Sequence, residues 1–360
     1  INICRWMFPG TWVSEVGGSW RISHDIRNSF SGTLGVRDIF EQNLYLAAYA
    51  SPGHCNDMDM MQVGRGMTVD EEKSHFGLWC IMSSPLLIGC DLRTIPQNTL
   101  DIITNSEVIA VSQDTLGVQA QVVSRSGRRI VVAKPVEKRH GRVRAVALFN
   151  GEDTPQTLRI AFKDVQLGGK VKVRDLWAKA DLGRFSGYYE VNVPAHGTAM
   201  LRLEGQKSFD KLRYQGEYAF MNTYTAIGAY NGARVEAVSS GVASGGYKIG
   251  WLGNSPENWA EFRDVYVSKG GKYTLKLYYY SPEARNLAVV VNGVEHSMAN
   301  LNSGGVGKRA EASIEVDLRR GSNVIRLANP TGWAPDIDKI ELKPQGGSSE
   351  DTDDFDVVAL

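Results

Sequence analysis

Two kinds of hydrophobic pattern follow one another along the chain, and the change between them falls near residue 117. Residues 1–116 alternate short apolar runs with stretches that carry apolar residues at helical spacing, which is typical of βα units around a parallel sheet. The predicted strands of this part are Ile1–Arg5, Arg21–Ile26, Gly53–Met60 and Leu86–Cys90. The predicted helices are Val36–Ala48, Val69–Met82 and Asn105–Ser112.

The rest of the chain carries short strand-like runs separated by Gly, Pro, Asn and Asp, and this spacing predicts antiparallel β-sandwiches. For residues 117–206 the predicted strands are Ile130–Ala133, Arg144–Phe149, Leu158–Phe162, Lys170–Leu176, Tyr188–Val193 and Ala199–Leu203. For residues 207–344 they are Glu261–Val267, Gly271–Tyr280, Asn286–Val291, Ala312–Val316, Asn323–Leu327 and Asp338–Leu342. The tail 345–360 is rich in Gly, Ser and acidic residues, a composition typical of disorder.

Charge and cysteine content narrow the class of protein. Forty Lys and Arg balance 40 Asp and Glu, so no net field attracts nucleic acid or an anionic membrane, and neither is an expected partner. The longest apolar run, Ile81–Cys90, contains Pro85 and is far shorter than the roughly 20 residues of a membrane span. The four cysteines form no CxxC pair, which favours free thiols over a disulfide scaffold or a zinc module.

Three aspartates are the first candidates for chemistry, because glycosidic bond hydrolysis needs two carboxyl groups that face each other across the sugar. Asp25 lies in an apolar, strand-like context, where an unpaired carboxylate is costly. Asp57 and Asp59 alternate with apolar residues, which predicts that both side chains lie on one face of a strand. The residues alone leave open whether this pair is functional or serves only a capping or structural role.

An ordered set of motifs carries a resemblance to a known family. The set comprises Trp20–Ile26, Asn56–Met60, Leu78–Leu86, Asp91–Arg93 and Val111–Gly117. It resembles the C-terminal half of the catalytic barrel of family 27 glycoside hydrolases, the α-galactosidase and α-N-acetylgalactosaminidase family. The resemblance implies a (β/α)₈ barrel, represented by its C-terminal half at residues 1–116, followed by an antiparallel β-sandwich.

The same resemblance assigns roles to residues of this sequence. It implies that Asp25 is the general acid/base, that Arg21 contacts the sugar beside it, and that Asp59 and Met60 line the subsite for the galactose ring. To protonate the leaving oxygen, Asp25 needs a raised pKa, which an apolar wall such as Trp20 or Trp6 would provide by desolvation. No cofactor is expected for catalysis.

Two departures from the family pattern affect these expectations. The family's Cys-Glu-Trp segment is replaced by Cys4-Arg5-Trp6, which reverses a charge beside the sugar and leaves galactose, arabinopyranose and N-acetylgalactosamine all open. The family's nucleophile lies in a Lys-Tyr-Asp strand that this sequence does not contain. Half a barrel would also leave open sheet edges, which we expect to be covered by an N-terminal half-barrel segment or by a second copy of the chain.

Residues 207–344 resemble carbohydrate-binding modules of families 35 and 6. The resemblance rests on Tyr214–Ala219, Ser244–Trp251, Gly271–Leu275, Val289–Gly293, Gly321–Leu327 and Asp336–Ile340. It implies that Glu217 and Asp338 hold a structural Ca²⁺, although both are also compatible with ordinary surface acids. Trp333 and Asn329 are the candidate sugar contacts, whereas Trp251 and Trp259 are expected in the core or at its rim.

Two classes of function remain at this point. One is a retaining exo-glycosidase of the α-galactosidase type, whose nucleophile lies outside this sequence. The other is a non-catalytic carbohydrate-binding protein derived from such an enzyme. Either would act on external glycans, so we expect a secreted or periplasmic bacterial protein.

Overall fold

The computed structural model of the chain describes residues 8–224, 232–238 and 243–345. The predicted strand Ile1–Arg5, the candidate residues Arg5 and Trp6, and the tail from residue 346 lie outside the described residues. Within the described residues, no helix combines the length and the apolar character that a membrane crossing would need.

The first part, which we call the βα part, contains two short strands and four helices within its described residues 8–116. They are β1 (Ser19–Arg21), α1 (Val36–Asn43), β2 (Cys55–Asp57), α2 (Val69–Ile81), α3 (Gln97–Ile103) and α4 (Ser106–Ser112), with single 3₁₀ turns at Pro9–Thr11, Val13–Glu15 and Ala47–Tyr49. Strands β1 and β2 pair in parallel, with Ser19 opposite Cys55 and Arg21 opposite Asp57. A further parallel bridge joins Met61 to Ile88, so a third parallel contact extends this arrangement.

The strands of the βα part are shorter than the sequence predicts. The predicted strand Arg21–Ile26 overlaps β1 only at Arg21, and Leu86–Cys90 contributes a single bridge instead of a strand. Helix α3 was not predicted, because its sequence QNTLDII offers apolar residues only in its second half. Helix α2 agrees with its prediction to within one residue, and its start is fixed by reciprocal hydrogen bonds between Thr68 and Glu71.

The first sandwich follows the βα part. Its strands are β3 (Gln121–Ser126), β4 (Arg129–Pro135), β5 (Val143–Asn150), β6 (Gln156–Ala161), β7 (Leu167–Gly168), β8 (Val171–Asp175), β9 (Ala180–Phe185), β10 (Tyr188–Val193), β11 (Thr198–Glu204) and β12 (Lys207–Ser208), with a 3₁₀ turn at Phe162–Val165. Six of them form one sheet in the order β3-β4-β5-β11-β8-β9, and β10 pairs with β6 in a separate two-stranded sheet. Residues such as Val146, Leu148 and Ile160 fill the space between the layers.

The second sandwich closes the described chain. Its strands are β13 (Arg213–Gln215), β14 (Phe220–Met221), β15 (Arg234–Ala237), β16 (Tyr247–Gly250), β17 (Trp259–Val267), β18 (Gly271–Tyr280), β19 (Arg285–Val291), β20 (Val294–Leu301), β21 (Ala310–Leu318), β22 (Gly321–Ala328) and β23 (Asp336–Pro344), with a 3₁₀ turn at Gly216–Tyr218. One sheet has the order β15-β16-β23-β18-β21, with β13 also on β23, and the other β14-β17-β22-β19-β20. All six strands predicted for this part are confirmed, and five of them are longer than predicted, by one to four residues.

The three parts share buried surfaces. Core residues of the βα part, including Phe40 and Trp79, belong to the same apolar cluster as Phe149 and Met200 of the first sandwich. A separate cluster joins Trp20 and Tyr49 of the βα part to Phe220 of the second sandwich. The second sandwich therefore packs directly on the βα part and is not held by the linker alone.

Candidate functional site

Arg21, Asp25 and Asp59 come together where β1 and β2 end. Because parallel strands place their carboxyl ends at one edge of a sheet, residues that follow the two strands meet there. The guanidinium Nη2 of Arg21 lies 2.5 Å from Oδ2 of Asp59 and 3.3 Å from Oδ1 of Asp25. One cation thus contacts two of the three carboxylates that the sequence singles out.

Asp59 is held by hydrogen bonds to both of its carboxylate oxygens. Its Oδ2 accepts a hydrogen bond from the Ile26 amide at 2.7 Å in addition to its contact with Arg21, and its Oδ1 accepts one from the Met60 amide at 2.7 Å. Its backbone has φ 78°, in the left-handed region that few non-glycine residues adopt. The side chain is 13% exposed, so this carboxylate is fixed in one orientation against Arg21.

The prediction that Asp57 and Asp59 share one face of a strand is wrong. Strand β2 ends at Asp57, and the left-handed backbone at Asp59 breaks the alternation on which the prediction depends. The Asp57 carboxylate instead accepts a hydrogen bond from the Asp59 amide at 2.8 Å. Burial raises the pKa of Asp57, whereas the Asp59 amide and the charge of Arg21 oppose that shift.

Asp25 lies in the loop after β1, and its side chain is 90% exposed. The expected apolar wall is not formed by Trp20, because successive residues of a strand point to opposite faces and Trp20 directly precedes Arg21. Its indole is fully buried and donates to Oδ1 of Asn56 at 2.9 Å. Trp6, the other candidate wall, lies outside the described residues.

Met60 directly follows Asp59 in the chain and is 38% exposed. The neighbouring parallel segment also exposes Leu87 and Ile88. The edge of the sheet beside Asp59 therefore carries an exposed apolar strip, which we call the Met60 strip, formed by Met60, Leu87 and Ile88.

Glu217 and Asp338, the predicted metal ligands, are both buried in the second sandwich. Burial raises the pKa of Glu217 to about 8, and the negative charge of Asp338 raises it further. Oδ1 of Asp338 accepts from the Ser244 amide at 3.0 Å, and its Oδ2 lies 3.0 Å from Arg309. Among the described residues, Oε2 of Glu217 has no hydrogen-bond partner.

The residues around Glu217 and Asp338 fit the predicted Ca²⁺ site in part. Carboxylate oxygens are the ligands that Ca²⁺ prefers, and an unpartnered, buried carboxylate oxygen is what a bound cation would satisfy. The Ser244 hydroxyl also bridges Asp338 to Oε1 of Gln215, which brings an amide oxygen to the same place. Within the described ranges, however, no group of three or more His, Cys, Asp and Glu residues could hold a metal.

Trp251 is an exposed aromatic residue of the second sandwich, contrary to the expectation that it is a core or rim residue. It follows β16 with φ 60°, which turns its ring out of the sheet, and it is 47% exposed. Its indole N–H donates to Oε1 of Glu236 at 2.8 Å, and the Arg234 guanidinium lies 4.6 Å from a ring centroid. The sequence of β16, which precedes Trp251, does not indicate that the chain turns the Trp251 ring outward.

The two predicted sugar contacts lie near Trp251 but differ in availability. Trp333 is half-buried and meets the Trp251 ring edge-on, with 5.6 Å between ring centroids. Asn329 is buried, and its amide nitrogen donates to the carbonyl groups of Asn286 and Trp333, so it braces the loop. The other tryptophan, Trp259, is half-buried at the rim, as expected, with the Arg326 guanidinium 3.9 Å from its ring centroid.

Comparison with known proteins shows which family this chain resembles. A family model described as α-galactosidase A matches residues 9–114, and a model of the α-galactosidase C-terminal β-sandwich domain matches residues 126–203. Among curated relatives, α-galactosidase 3 of Arabidopsis thaliana is 38% identical over an alignment of 214 residues that covers 57% of this chain and 48% of the relative. Alpha-galactosidase A of Cellvibrio japonicus is 35% identical over an alignment of 225 residues that covers 56% of this chain and 55% of the relative.

Solved structures show the same relationship. Alpha-galactosidase I from Mortierella vinacea has TM-score 0.53 at 28% identity, covering 58% of this chain and 59% of that one. A family 27 β-L-arabinopyranosidase from Geobacillus stearothermophilus has TM-score 0.51 at 27% identity, covering 56% and 48%. An Arthrobacter globiformis isomalto-dextranase complexed with panose has TM-score 0.55 and covers 90% of this chain and 58% of that chain, but at 20% identity it shows a likeness of fold alone.

The two family models end at residue 203, in the first sandwich. The chain spans about half the length of the curated relatives it matches. Both family models describe α-galactosidases, and together they match about half of this chain in the order expected for that family. The chain therefore belongs to the α-galactosidase family of glycoside hydrolases.

Proposed function

We propose that this chain is the acid/base-bearing portion of a retaining exo-glycosidase that releases terminal α-galactose from oligo- or polysaccharides. The observation that carries the proposal is the contact of one guanidinium, that of Arg21, with both Asp25 and Asp59 at the strand ends. The exposed carboxyl of Asp25 is accessible to a substrate, whereas the anchored carboxylate of Asp59 is suited to a fixed contact with a sugar hydroxyl.

In the proposed reaction, Asp25 protonates the leaving oxygen while a nucleophilic carboxylate attacks the anomeric carbon. Asp25 then takes a proton from water, which releases the sugar with retained configuration. Asp59 is a poor nucleophile in this arrangement, because Ile26, Met60 and Arg21 already occupy its two oxygens. We therefore assign Asp59 to a contact with the sugar ring.

The nucleophile in this proposal comes from a complementary N-terminal half-barrel segment that carries the Lys-Tyr-Asp strand. Such a segment would pair with the sheet edge at the Met60 strip and bury its exposed side chains. Pairing of two copies of this chain is the alternative, but it would supply no Lys-Tyr-Asp strand. Co-expression with a family segment containing that strand should therefore restore hydrolysis, whereas concentration of this chain alone should not.

A substitution series tests the role of Asp25 in that assembly. Asp25→Asn should abolish hydrolysis of an alkyl galactoside, whose leaving group needs protonation, and should slow release of the sugar from an activated aryl galactoside. Asp181→Asn is the matched control, because Asp181 is an exposed, Arg-paired aspartate in the first sandwich. Unchanged rates in both steps for Asp25→Asn would refute the assignment.

We expect the residue at position 5 to influence which sugar the enzyme accepts. A cation there in place of the family's Glu would change the contact near the 2-hydroxyl, so the related substrates are β-L-arabinopyranosides and α-N-acetylgalactosaminides. A panel of aryl glycosides of the three sugars, compared by kcat/KM, separates them. Arg5→Glu should shift the preference toward galactose if Arg5 and Trp6 line the subsite.

We also propose that the second sandwich binds carbohydrate at Trp251, with Trp333 beside it. An exposed indole face stacks well on a pyranose ring, and Glu236 holds this one in place. Trp251→Ala should abolish retention on a galactose-containing polysaccharide in affinity electrophoresis. Tyr188→Ala is the matched control, because Tyr188 is an exposed aromatic residue of the first sandwich with an arginine 3.9 Å from its ring centroid. Binding without any hydrolysis in the co-expressed assembly would favour the non-catalytic alternative.

Glu217 and Asp338 are the residues that would hold a Ca²⁺ in the second sandwich, where the ion would offset the repulsion between two buried carboxylates. Binding to the folded state alone would raise the melting temperature by mass action. A melting temperature that a chelator leaves unchanged would refute this site. A secreted or periplasmic location, which we propose from the expected glycan substrates, is tested by fractionation of the source cells.

A further inference from the structure

Helix α2 carries a row of buried polar side chains that point at the backbone of the loop 58–64, which bears Asp59. Glu72, His75 and Trp79 are spaced by three and four residues and so lie on one face of the helix. All three are buried. Each of the three has a hydrogen bond with the backbone of this loop, and Glu72 also accepts one from the Thr99 hydroxyl at 2.6 Å. The ion pairs at the strand ends join Arg21 to the carboxylates of Asp25 and Asp59 and involve none of the three.

Each of these side chains bonds a different backbone group of the loop. Trp79 donates its indole N–H to the Asp59 carbonyl at 2.8 Å, and Glu72 accepts from the Gly64 amide at 2.7 Å. His75 accepts from the Gln62 amide at 2.8 Å through Nε2. Because a backbone amide can only donate, this His75 nitrogen carries no proton, and burial lowers the pKa of His75 to about 3, which keeps the ring neutral.

The loop needs such support because Asp59 has a left-handed backbone, which a non-glycine residue adopts at a cost unless its surroundings hold it. The carbonyl held by Trp79 belongs to that same residue. Without the hydrogen bond from Trp79, the backbone of Asp59 would be free to relax toward an ordinary conformation. The Asp59 carboxylate would then turn away from Arg21 and from the Ile26 amide.

We propose that α2 is the positioning element of the active site, with Trp79 as the principal positioning residue and His75 and Glu72 as its supports. They fix the backbone of loop 58–64 so that the Asp59 carboxylate reaches Arg21 and the Ile26 amide. The inference deepens the proposed function and rests on it, since it explains how the residue assigned to the sugar ring is held. Its structural content does not depend on catalysis.

The Ile26 amide reports on this positioning from a distance. It lies in the loop after β1, and its hydrogen bond ends on Oδ2 of Asp59. The path from Trp79 to this amide runs through Asp59, whose carbonyl accepts from the indole and whose carboxylate accepts from the amide. Trp79→Phe removes the indole N–H and retains an aromatic ring, so hydrogen–deuterium exchange at Ile26 and at residues 59–62 should accelerate about tenfold, the factor that about 1.4 kcal/mol corresponds to.

Trp177→Phe is the matched control. The Trp177 indole also donates to a backbone carbonyl, that of Thr198 at 3.0 Å, and its ring packs against α2 at Gly77. This variant should lower the melting temperature comparably and leave exchange at Ile26 unchanged. Equal exchange at Ile26 in the two variants, or continued protection of Ile26 in Trp79→Phe, would overturn the proposal.

Ser84→Ala is a milder variant, should Trp79→Phe fail to fold. The Ser84 hydroxyl accepts from the Met58 amide at 2.9 Å, at the start of the same loop. Its loss should accelerate exchange at residues 58–60 and, more weakly, at Ile26, and an Ile26 amide unaffected in this variant would likewise contradict the proposal. Because exchange is measured on the 360-residue chain without substrate, its outcome is independent of whether the assembly hydrolyses galactosides.

Discussion

Replacing Tyr49 with Phe is expected to weaken the attachment of the second sandwich to the βα part. The buried Tyr49 hydroxyl donates to the Met221 carbonyl and accepts from the Met221 amide, both at 3.1 Å. Phenylalanine keeps the edge-on contact with Phe8 and the contact with Phe220 but deprives two buried backbone groups of this partner. Each buried polar group without a partner costs about 1–3 kcal/mol, so a loss of about 2–6 kcal/mol is expected for the two groups.

Urea unfolding followed by tryptophan fluorescence measures that loss, and limited proteolysis of the linker 209–212, between β12 and β13, shows whether the second sandwich has separated. Tyr273→Phe is the control, because the Tyr273 hydroxyl donates to the Lys269 carbonyl at 2.8 Å within the second sandwich itself. The control should lower the stability of that sandwich without exposing the linker. A Tyr49 variant that loses less than about 0.5 kcal/mol, below the usual net contribution of a single hydrogen bond, would refute the reasoning.

Three further predictions concern charge. In the presence of a chelator, the free energy of unfolding should fall as pH rises from about 4.5 toward 8, because burial raises the pKa of Glu217 to about 8 and opposes its ionisation in the folded state. Glu217→Gln should abolish this dependence of the melting temperature on pH. At pH 7, Lys134→Met should raise the free energy of unfolding by about 2–3 kcal/mol, because burial lowers the pKa of Lys134 to about 8 and its charged form is costly in the folded state. The gain should vanish near pH 10.5. An unchanged urea midpoint at pH 7 would contradict the prediction. Arg21→Lys should weaken galactose binding in the complete assembly about tenfold by calorimetry, since one ammonium is a poorer match than a planar guanidinium for two carboxylates.

The sandwich strands could be predicted because alternation and turn residues are local signals. Gly271–Tyr280 and Tyr188–Val193 agree with the structure at both ends. Strand β9 was missed because most of its residues are exposed and carry no apolar alternation. The strands of the βα part were predicted too long, since a short apolar run does not show where backbone pairing stops.

The strand-end cluster was predictable from the order of its motifs, but its detailed geometry was not. The sequence predicts Arg21, Asp25 and Asp59 in two parallel strands, and the structure brings them together where the shorter observed strands end. The positive φ angles of Asp59 and Trp251 break the period of two on which side-chain direction was inferred. The left-handed backbone of Asp59 is supported by long-range contacts from α2. The residues that neighbour Asp59 and Trp251 in the sequence give no sign of either positive φ angle.

The exposure of Asp25 and of the Met60 strip has a single physical explanation within the proposed function. A general acid needs a raised pKa, which requires removal of water from its carboxyl group, and the described residues leave Asp25 90% exposed. Met60, Leu87 and Ile88 are exposed at the same edge of the sheet. A covering half-barrel segment would bury the strip, exclude water from Asp25 and bring the second carboxylate to within about 5 Å of it, the separation that a retaining mechanism requires. Assembly and activity are therefore expected to appear together when that segment is supplied, and a segment that binds without changing the exposure of Asp25 would contradict this account.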